Sequence, residues 1–450
     1  MSSSNGRRAR GAALAEFRIR RARRSASAVT AVLAVTVLAG CGQDDPKAKT
    51  EGAGQARERG PITLAMGKDT TGTVQSRLDR WNKDHPAEKV TLVELPESAD
   101  QQRRQFVQNA QTKSDAYSVL NLDVVWTAEF ASNQWIDELP KDAFPLDKMI
   151  PAVVGTGSYF GKQYAVPFNT NAGLLFYRKD LLTAAGAQVP TTWAQMKETC
   201  AKIAKLPEGR GTDCYAGQFD TYEGLTVNFS EAVASAGGAV VDDQGRPTVD
   251  TPAAEQGLSF LAEGFRDGTF PKNSSTFQEE DGRRAFQAGK LVFHRQWPYQ
   301  WTLANATDGS SKVAGKFGVA VLPGHAGAGR SSLGGLNLAV STFAENKATA
   351  VDFIRFMTSE ENARANLEKT SAAPPYAALY DDPALRERFP YLATLKQSLD
   401  GATTRPTAVR YGDVTAAVQE NVRAALTGAV PVDKALADLQ RELDALTEKP

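Results

Sequence analysis

From Pro61 onward, short apolar and β-branched runs alternate with longer stretches of helical periodicity, and this alternation constrains the fold most. Ile62-Thr63-Leu64-Ala65-Met66 reads as a strand, followed by a helix through Leu78, Trp81 and Asn82. Val90–Leu95 is a second strand and Gln101–Gln111 a second helix, then Leu122–Trp126 a third strand with a helix near Glu129–Trp135. Strand–helix–strand repetition of this kind predicts an α/β layered lobe with a largely parallel sheet. Val166–Phe168 and Leu174–Tyr177 are further strands. The stretch 178–310 reads as mostly helical, with strands at Tyr215–Phe219 and Leu291–His294. Strand character returns at Phe317–Leu322 and Leu336–Ser341, and helices fill the chain after Asn346. A strand-rich and a helix-rich lobe, with late strands returning, imply two lobes crossed more than once by the chain. No internal repeat is present. At 450 residues, two or three domains are expected.

The first sixty residues follow different rules. Residues 1–24 hold eight of the 52 basic residues and one acid, Glu16, and residues 25–40 hold no charge. The remainder therefore carries 44 basic and 51 acidic residues, a net charge of −7. A mildly acidic body lacks the concentrated basic face that nucleic-acid binding needs. Ala26–Gly40 is an apolar stretch shorter than the roughly 20 residues of a membrane span. Behind an arginine-rich segment it suits a signal-peptide core. It ends in Leu38-Ala39-Gly40-Cys41, which looks like a bacterial lipobox, so residues 1–40 are expected to be a lipoprotein signal peptide with Cys41 acylated. Two or more acyl chains anchor stably where one does not. Residues 41–60, rich in Gly, Lys, Glu and Asp without apolar periodicity, read as a flexible tether. The remaining cysteines, Cys200 and Cys214, lie on the exported side, where an oxidising compartment favours a disulfide over two free buried thiols.

Enzyme signatures are missing. The chain has no G-x-S-x-G, G-x-G-x-x-G or G-x-x-x-x-G-K-[ST] motif. His85, His294 and His325 stand apart without zinc-site spacing, so neither metal nor cofactor is expected. Glu279/Glu280 could flank a glycosidic bond, although a chain with this many acids shows such neighbours by chance.

What the sequence does offer is aromatic rings beside polar groups: Trp126 with Glu129, Tyr222 with Glu223, and Arg295-Gln296-Trp297-Pro298-Tyr299-Gln300-Trp301. A sugar has an apolar C–H face that packs on a ring and a rim of hydroxyls that needs fixed carboxylates, amides and guanidinium groups. Ligands of open α/β sheets sit beyond the carboxyl ends of strands. Asp69, Trp126, Glu129, Asn169 and Asn171 fall just after expected strands. Alternation of Trp297, Tyr299 and Trp301 along a strand would turn one side of it to a cleft.

Three segments carry a family resemblance: Leu122-Asp123-Val124-Val125-Trp126-Thr127-Ala128-Glu129-Phe130, Tyr164 through Leu181, and Phe286-Gln287-Ala288-Gly289-Lys290. With Ser332-Leu333-Gly334-Gly335-Leu336-Asn337 and Arg405 through Tyr411, they resemble the solute-binding lipoproteins of carbohydrate ABC importers, nearest the actinobacterial trehalose/maltose-binding branch. The resemblance implies a two-lobe periplasmic-binding-protein-like fold (type II) with a ligand cleft between lobes. It divides the chain into lobe 1 (61–170 plus 335–372) and lobe 2 (171–334 plus 373–450). It carries ligand contacts onto Asn171, onto Asp123 as the residue opening its strand, onto Trp297 as a stacking ring, and onto Arg410. Gly334 and Gly335 would offer backbone N–H groups from a turn, with Asp69 and Glu279 as further contacts. Asn171 stands where many relatives have aspartate; an amide both donates and accepts, which suits a neutral sugar. The expected protein is a monomeric, membrane-anchored, non-catalytic receptor on the extracytoplasmic face. It would capture a neutral α-glucoside such as trehalose or maltose and pass it to the transmembrane subunits of an ABC permease. A receptor for another oligosaccharide or a polyol, and a lipid-anchored glycosidase, are the competing readings.

Overall fold

The computed structural model describes residues 58–69, 72–242 and 244–447. The expected signal peptide, Cys41 and the tether through residue 57 lie outside the described residues. Eleven strands are present among the described residues: β1 (Ile62–Gly67), β2 (Val90–Leu95), β3 (Val119–Asp123), β4 (Ser158–Tyr159), β5 (Lys162–Gln163), β6 (Ala165–Ala172), β7 (Leu174–Arg178), β8 (Asp213–Ala216), β9 (Leu291–Gln296), β10 (Phe317–Ala320) and β11 (Leu333–Val340). They form a five-stranded sheet ordered β2-β1-β3-β11-β6, a four-stranded sheet ordered β10-β7-β9-β8, and the small β4-β5 hairpin. β1 runs parallel to β2 and β3, while β11 runs against both β3 and β6, so four of the five strands share one direction. The smaller sheet is mixed: β7 opposes β10 and β9, and β8 lies parallel to β9.

Period-two alternation explains β1. Ile62, Leu64 and Met66 enter one core and Ala65 another, so both faces are covered, as parallel strands require. The crossover helix Val74–Asp84 buries Val74, Leu78 and Trp81, spaced i, i+4, i+7, against the sheet. Full burial of a side chain such as Leu78 contributes about 1.5–3 kcal/mol. Helix boundaries follow local chemistry. Thr192 and Gln195 form a capping box at the start of helix Trp193–Ile203. Helix Pro252–Asp267 begins with Thr251 and Pro252 and ends on Gly268 at φ 80°.

The two sheets with their helices make the two lobes, and the chain passes between them at three adjoining places. Gly173 alone separates β6 of the larger sheet from β7 of the smaller. Ser331 and Ser332 lead from the smaller sheet into β11. Thr403 pairs with Ser332 as a parallel bridge, its N–H donating to Ser331 O at 2.8 Å and its carbonyl accepting from Leu333 N–H at 2.7 Å. Beyond it, helix Tyr411–Leu426 packs on helices Glu223–Ser235 and Pro252–Asp267 of the second lobe.

Several local expectations change. The strand expected at Tyr215–Phe219 runs Asp213–Ala216, and the last crossing comes at Thr403 rather than at 372/373, because Ala373 and Tyr376 bridge to Thr170 and Met149. The third strand is Val119–Asp123, not Leu122–Trp126, because Val124, Val125 and Trp126 are also buried and extend the apolar run into the following turn. Asp123 therefore closes its strand rather than opening it. Gly334 and Gly335 lie inside β11, paired with Asn171 and Thr170, and form no turn. Trp297 follows β9, whereas Trp301 sits in helix Gln300–Ala304 and packs on Phe317 and Tyr391, so the three aromatics do not alternate along a strand.

Cys200, in helix Trp193–Ile203, and Cys214, in edge strand β8, form a disulfide with Cα atoms 5.4 Å apart.

Candidate ligand-binding site

Where the carboxyl ends of β1 and β3 face the second lobe, the structure holds a cavity of ≈ 490 Å³. That volume is typical of small-molecule sites. The larger sheet supplies Asp69 after β1, Asp123 at the end of β3, Asn169 and Asn171 on β6, and Gly334 and Gly335 on β11. The second lobe supplies Glu223, Glu279, Glu280, Trp297 and Tyr299. Seven of the sequence-derived candidates thus converge on one cavity, and Arg410 does not. It caps helix Tyr411–Leu426 from the solvent side, paired with Asp413 at 2.7 Å. Arg405 lines the cavity five residues earlier.

Each candidate has a definite setting. Asp69 accepts the N–H of Val74 at 2.7 Å, tying the loop after β1 to the start of its helix. The side-chain amide of Asn171 hydrogen-bonds to no other described residue, so its donor and acceptor capacity is available to a ligand. Glu279, the first residue of helix Glu279–Gln287, accepts the Tyr222 hydroxyl at 2.8 Å, and burial raises its carboxyl above the usual range. Glu280 accepts the Tyr299 hydroxyl at 2.7 Å and pairs with Arg283 at 2.6 Å. Trp297 is half-buried, and the guanidinium carbon of Arg295 lies 3.8 Å from its ring centroid. A Cβ at Gly334 would come within 3.0 Å of the Trp297 ring, so this glycine lets the indole edge approach β11.

Sequence reasoning missed the centre of the site. Arg405, fully buried, donates to Asp123 at 2.8 Å and to Glu223 at 2.5 Å. Glu223 also accepts Thr415 Oγ1 at 2.7 Å and the Tyr411 hydroxyl. Burial first, with Asp123 adding and Arg405 opposing, pushes the Glu223 carboxyl up to about 7. The Arg405-Pro406 pair was inside a recognised segment, but only the fold shows which arginine turns inward. Glu129, the expected partner of Trp126, is instead spent on Arg103.

The charge balance limits the ligand. Among the described residues, seven carboxylates and four cationic side chains line the cavity. One guanidinium, Arg405, serves two of those carboxylates, which disfavours an anionic ligand.

Two helix-flanked lobes closing on one polar, ring-lined cavity beside a three-segment crossing define a solute-binding protein of the periplasmic type. The chain belongs to the bacterial extracellular solute-binding proteins, whose family model matches residues 67–364. It is 32% identical over 397 residues to a probable ABC transporter-binding protein of Deinococcus radiodurans, covering 85% of this chain and 93% of that one. A mannitol-binding protein of Pseudomonas aeruginosa is 26% identical over 411 residues, 84% of this chain and 91% of that protein. Among solved structures, maltose-bound T. maritima MalE3 matches with a TM-score of 0.81 and 33% identity, covering 86% of this chain and 99% of that one. Among the described residues no helix is long and apolar enough to cross a membrane.

Proposed function

We propose that this protein is the capture component of an ABC importer for a neutral α-linked glucoside, a disaccharide such as maltose or trehalose. The observation that carries the reading is the half-buried Trp297 ring on the same cavity as the unengaged amide of Asn171 and the carboxylates of Asp69 and Glu279. A pyranose would lay its C–H face on the indole and satisfy those polar groups with its hydroxyls. A ligand lacking hydroxyls would leave the Asn171 amide unpaired, which is how such a site discriminates. The negative balance of the lining supports a neutral ligand, and the similarity to maltose-bound MalE3 supports an α-glucoside. No bond is made or broken. Binding energy specific to the closed arrangement shifts a hinge equilibrium about the three crossings, and the loaded protein docks on its permease. The mannitol-binding relative favours a polyol as the second reading.

Thermal-shift screening of residues 42–450 against disaccharides, longer oligosaccharides and hexitols tests the assignment. Maltose or trehalose should raise the melting midpoint most; a larger rise with mannitol would favour the polyol. Anchoring at Cys41 is part of the proposal: Cys41→Ala should move the protein from the detergent phase to the soluble exported fraction, and unchanged partitioning would contradict it.

A further inference from the structure

The side chain of Arg295 lies between the ring that faces the cavity and the place where the lobes join. Arg295 is on β9, entirely buried, and its guanidinium forks onto Glu231, Nε to Oε2 at 2.7 Å and Nη2 to Oε1 at 2.5 Å. Its third nitrogen donates to Gln218 Oε1 at 2.8 Å. With each of its three nitrogens engaged, the plane of the guanidinium is fixed, and one flat side of it covers the Trp297 ring. The same tryptophan lines the cavity.

Glu231 reaches the crossings directly. Its Oε1 accepts the Ser331 hydroxyl at 3.1 Å and the Ser332 N–H at 3.2 Å, on the segment entering β11. Ser331 Oγ in turn accepts the N–H of Gly173, on the segment between β6 and β7. Gly173 packs so closely on the ion pair that a Cβ there would fall 2.5 Å from Glu231 Oε1 and 2.8 Å from Arg295 Nη2. One buried ion pair therefore touches the Trp297 ring on one side and two of the three lobe crossings on the other.

We propose that Arg295 is a positioning residue for ligand capture: it holds the Trp297 ring in its stacking attitude and fixes that attitude relative to the hinge through Glu231. The proposal rests on the reading of Trp297 as the ligand platform and adds what sets its geometry. A planar cation is needed, because it must present a flat face to the indole and an edge to the carboxylate at once. Lysine keeps the charge and loses both.

The test combines Arg295→Lys, Glu231→Gln and Trp297→Ala with 5-fluorotryptophan labelling, the Trp297 resonance being assigned by Trp297→Phe. In ligand-free protein, Arg295→Lys should shift or broaden the Trp297 fluorine line while the other tryptophan lines stay in place. An unchanged line would overturn the proposal without any ligand being needed. By calorimetry with maltose, Arg295→Lys should weaken binding about tenfold in the wild-type background and have no further effect on Trp297→Ala. Equal losses in both backgrounds would show that Arg295 acts on binding independently of Trp297, and a lowered melting point with affinity retained that it acts on stability alone; either result would overturn the proposal. Should Arg295→Lys not fold, Glu231→Gln, which keeps the guanidinium and loosens its anchor, should give the same fluorine change and the same dependence on Trp297. Trp297→Ala leaving affinity intact would instead remove the platform reading itself, a separate and recognisable failure.

Discussion

Arg405 donates to Asp123 Oδ1 at 2.8 Å and so joins the end of β3 in the first lobe to Glu223 at the head of a second-lobe helix. Two carboxylates share one guanidinium that is only 1% exposed. Arg405→Met should cost about 3–5 kcal/mol, because it strands buried charge rather than replacing the whole cluster. Urea unfolding of the ligand-free variant measures this. A loss below about 1 kcal/mol would mean that the three groups are solvated and do not hold the lobes together.

The same cluster sets a pH dependence. Burial raises the Glu223 carboxyl from 4.5 to about 7, so between those values the native state holds a proton that the unfolded chain has released. Native stability from this group should therefore fall as pH rises from 4.5 to 7 and level off above, by up to about 3 kcal/mol. The difference in unfolding free energy between wild type and Glu223→Gln, followed from pH 4.5 to 8, isolates it from the exposed carboxylates. A difference that is flat or rises with pH would contradict the assignment.

The disulfide clips helix Trp193–Ile203 to the edge strand β8 across a sequence separation of 14. Closing a loop of that length is worth about 3 kcal/mol in the chain-entropy model. Cys200→Ala/Cys214→Ala should lower unfolding stability by about that much and abolish its sensitivity to reductant. Equal stability of oxidised and reduced wild type would show that the bridge adds nothing.

The alternation after Pro61 made the first lobe legible, since each strand is a short apolar run between amphipathic helices. The cysteine pair was legible for a chemical reason, the oxidising compartment expected if the arginine-rich and apolar first forty residues direct export. Local pattern failed where burial continues through a change of backbone. Val124, Val125 and Trp126 are as buried as β3 itself, so hydrophobicity could not mark the strand's end at Asp123. Trp301 shares Trp297's neighbourhood in sequence but turns into the core from a helix, which no two-residue spacing reveals. Arg405 was overlooked for Arg410 because inward and outward arginines look alike until Tyr411 and Glu223 are seen to meet. The polar centre of the site depends on contacts between residues about 180 or more positions apart, Glu223 with Arg405 and Tyr411, and single-sequence periodicity carries no information at that range.

The central claim is that the interlobe cavity takes a sugar on the face of Trp297. Calorimetric titration of wild type and Trp297→Ala with maltose and with trehalose, beside their ligand-free melting curves, tests it most directly. Wild type should bind one of the two sugars with one-to-one stoichiometry. The variant should bind it about thirtyfold more weakly, roughly 2 kcal/mol for a lost aromatic anchor, at a little-changed melting point. Affinity retained alongside about 3–5 kcal/mol of lost folding stability would show that the ring belongs to the core and that the sugar does not bind on it.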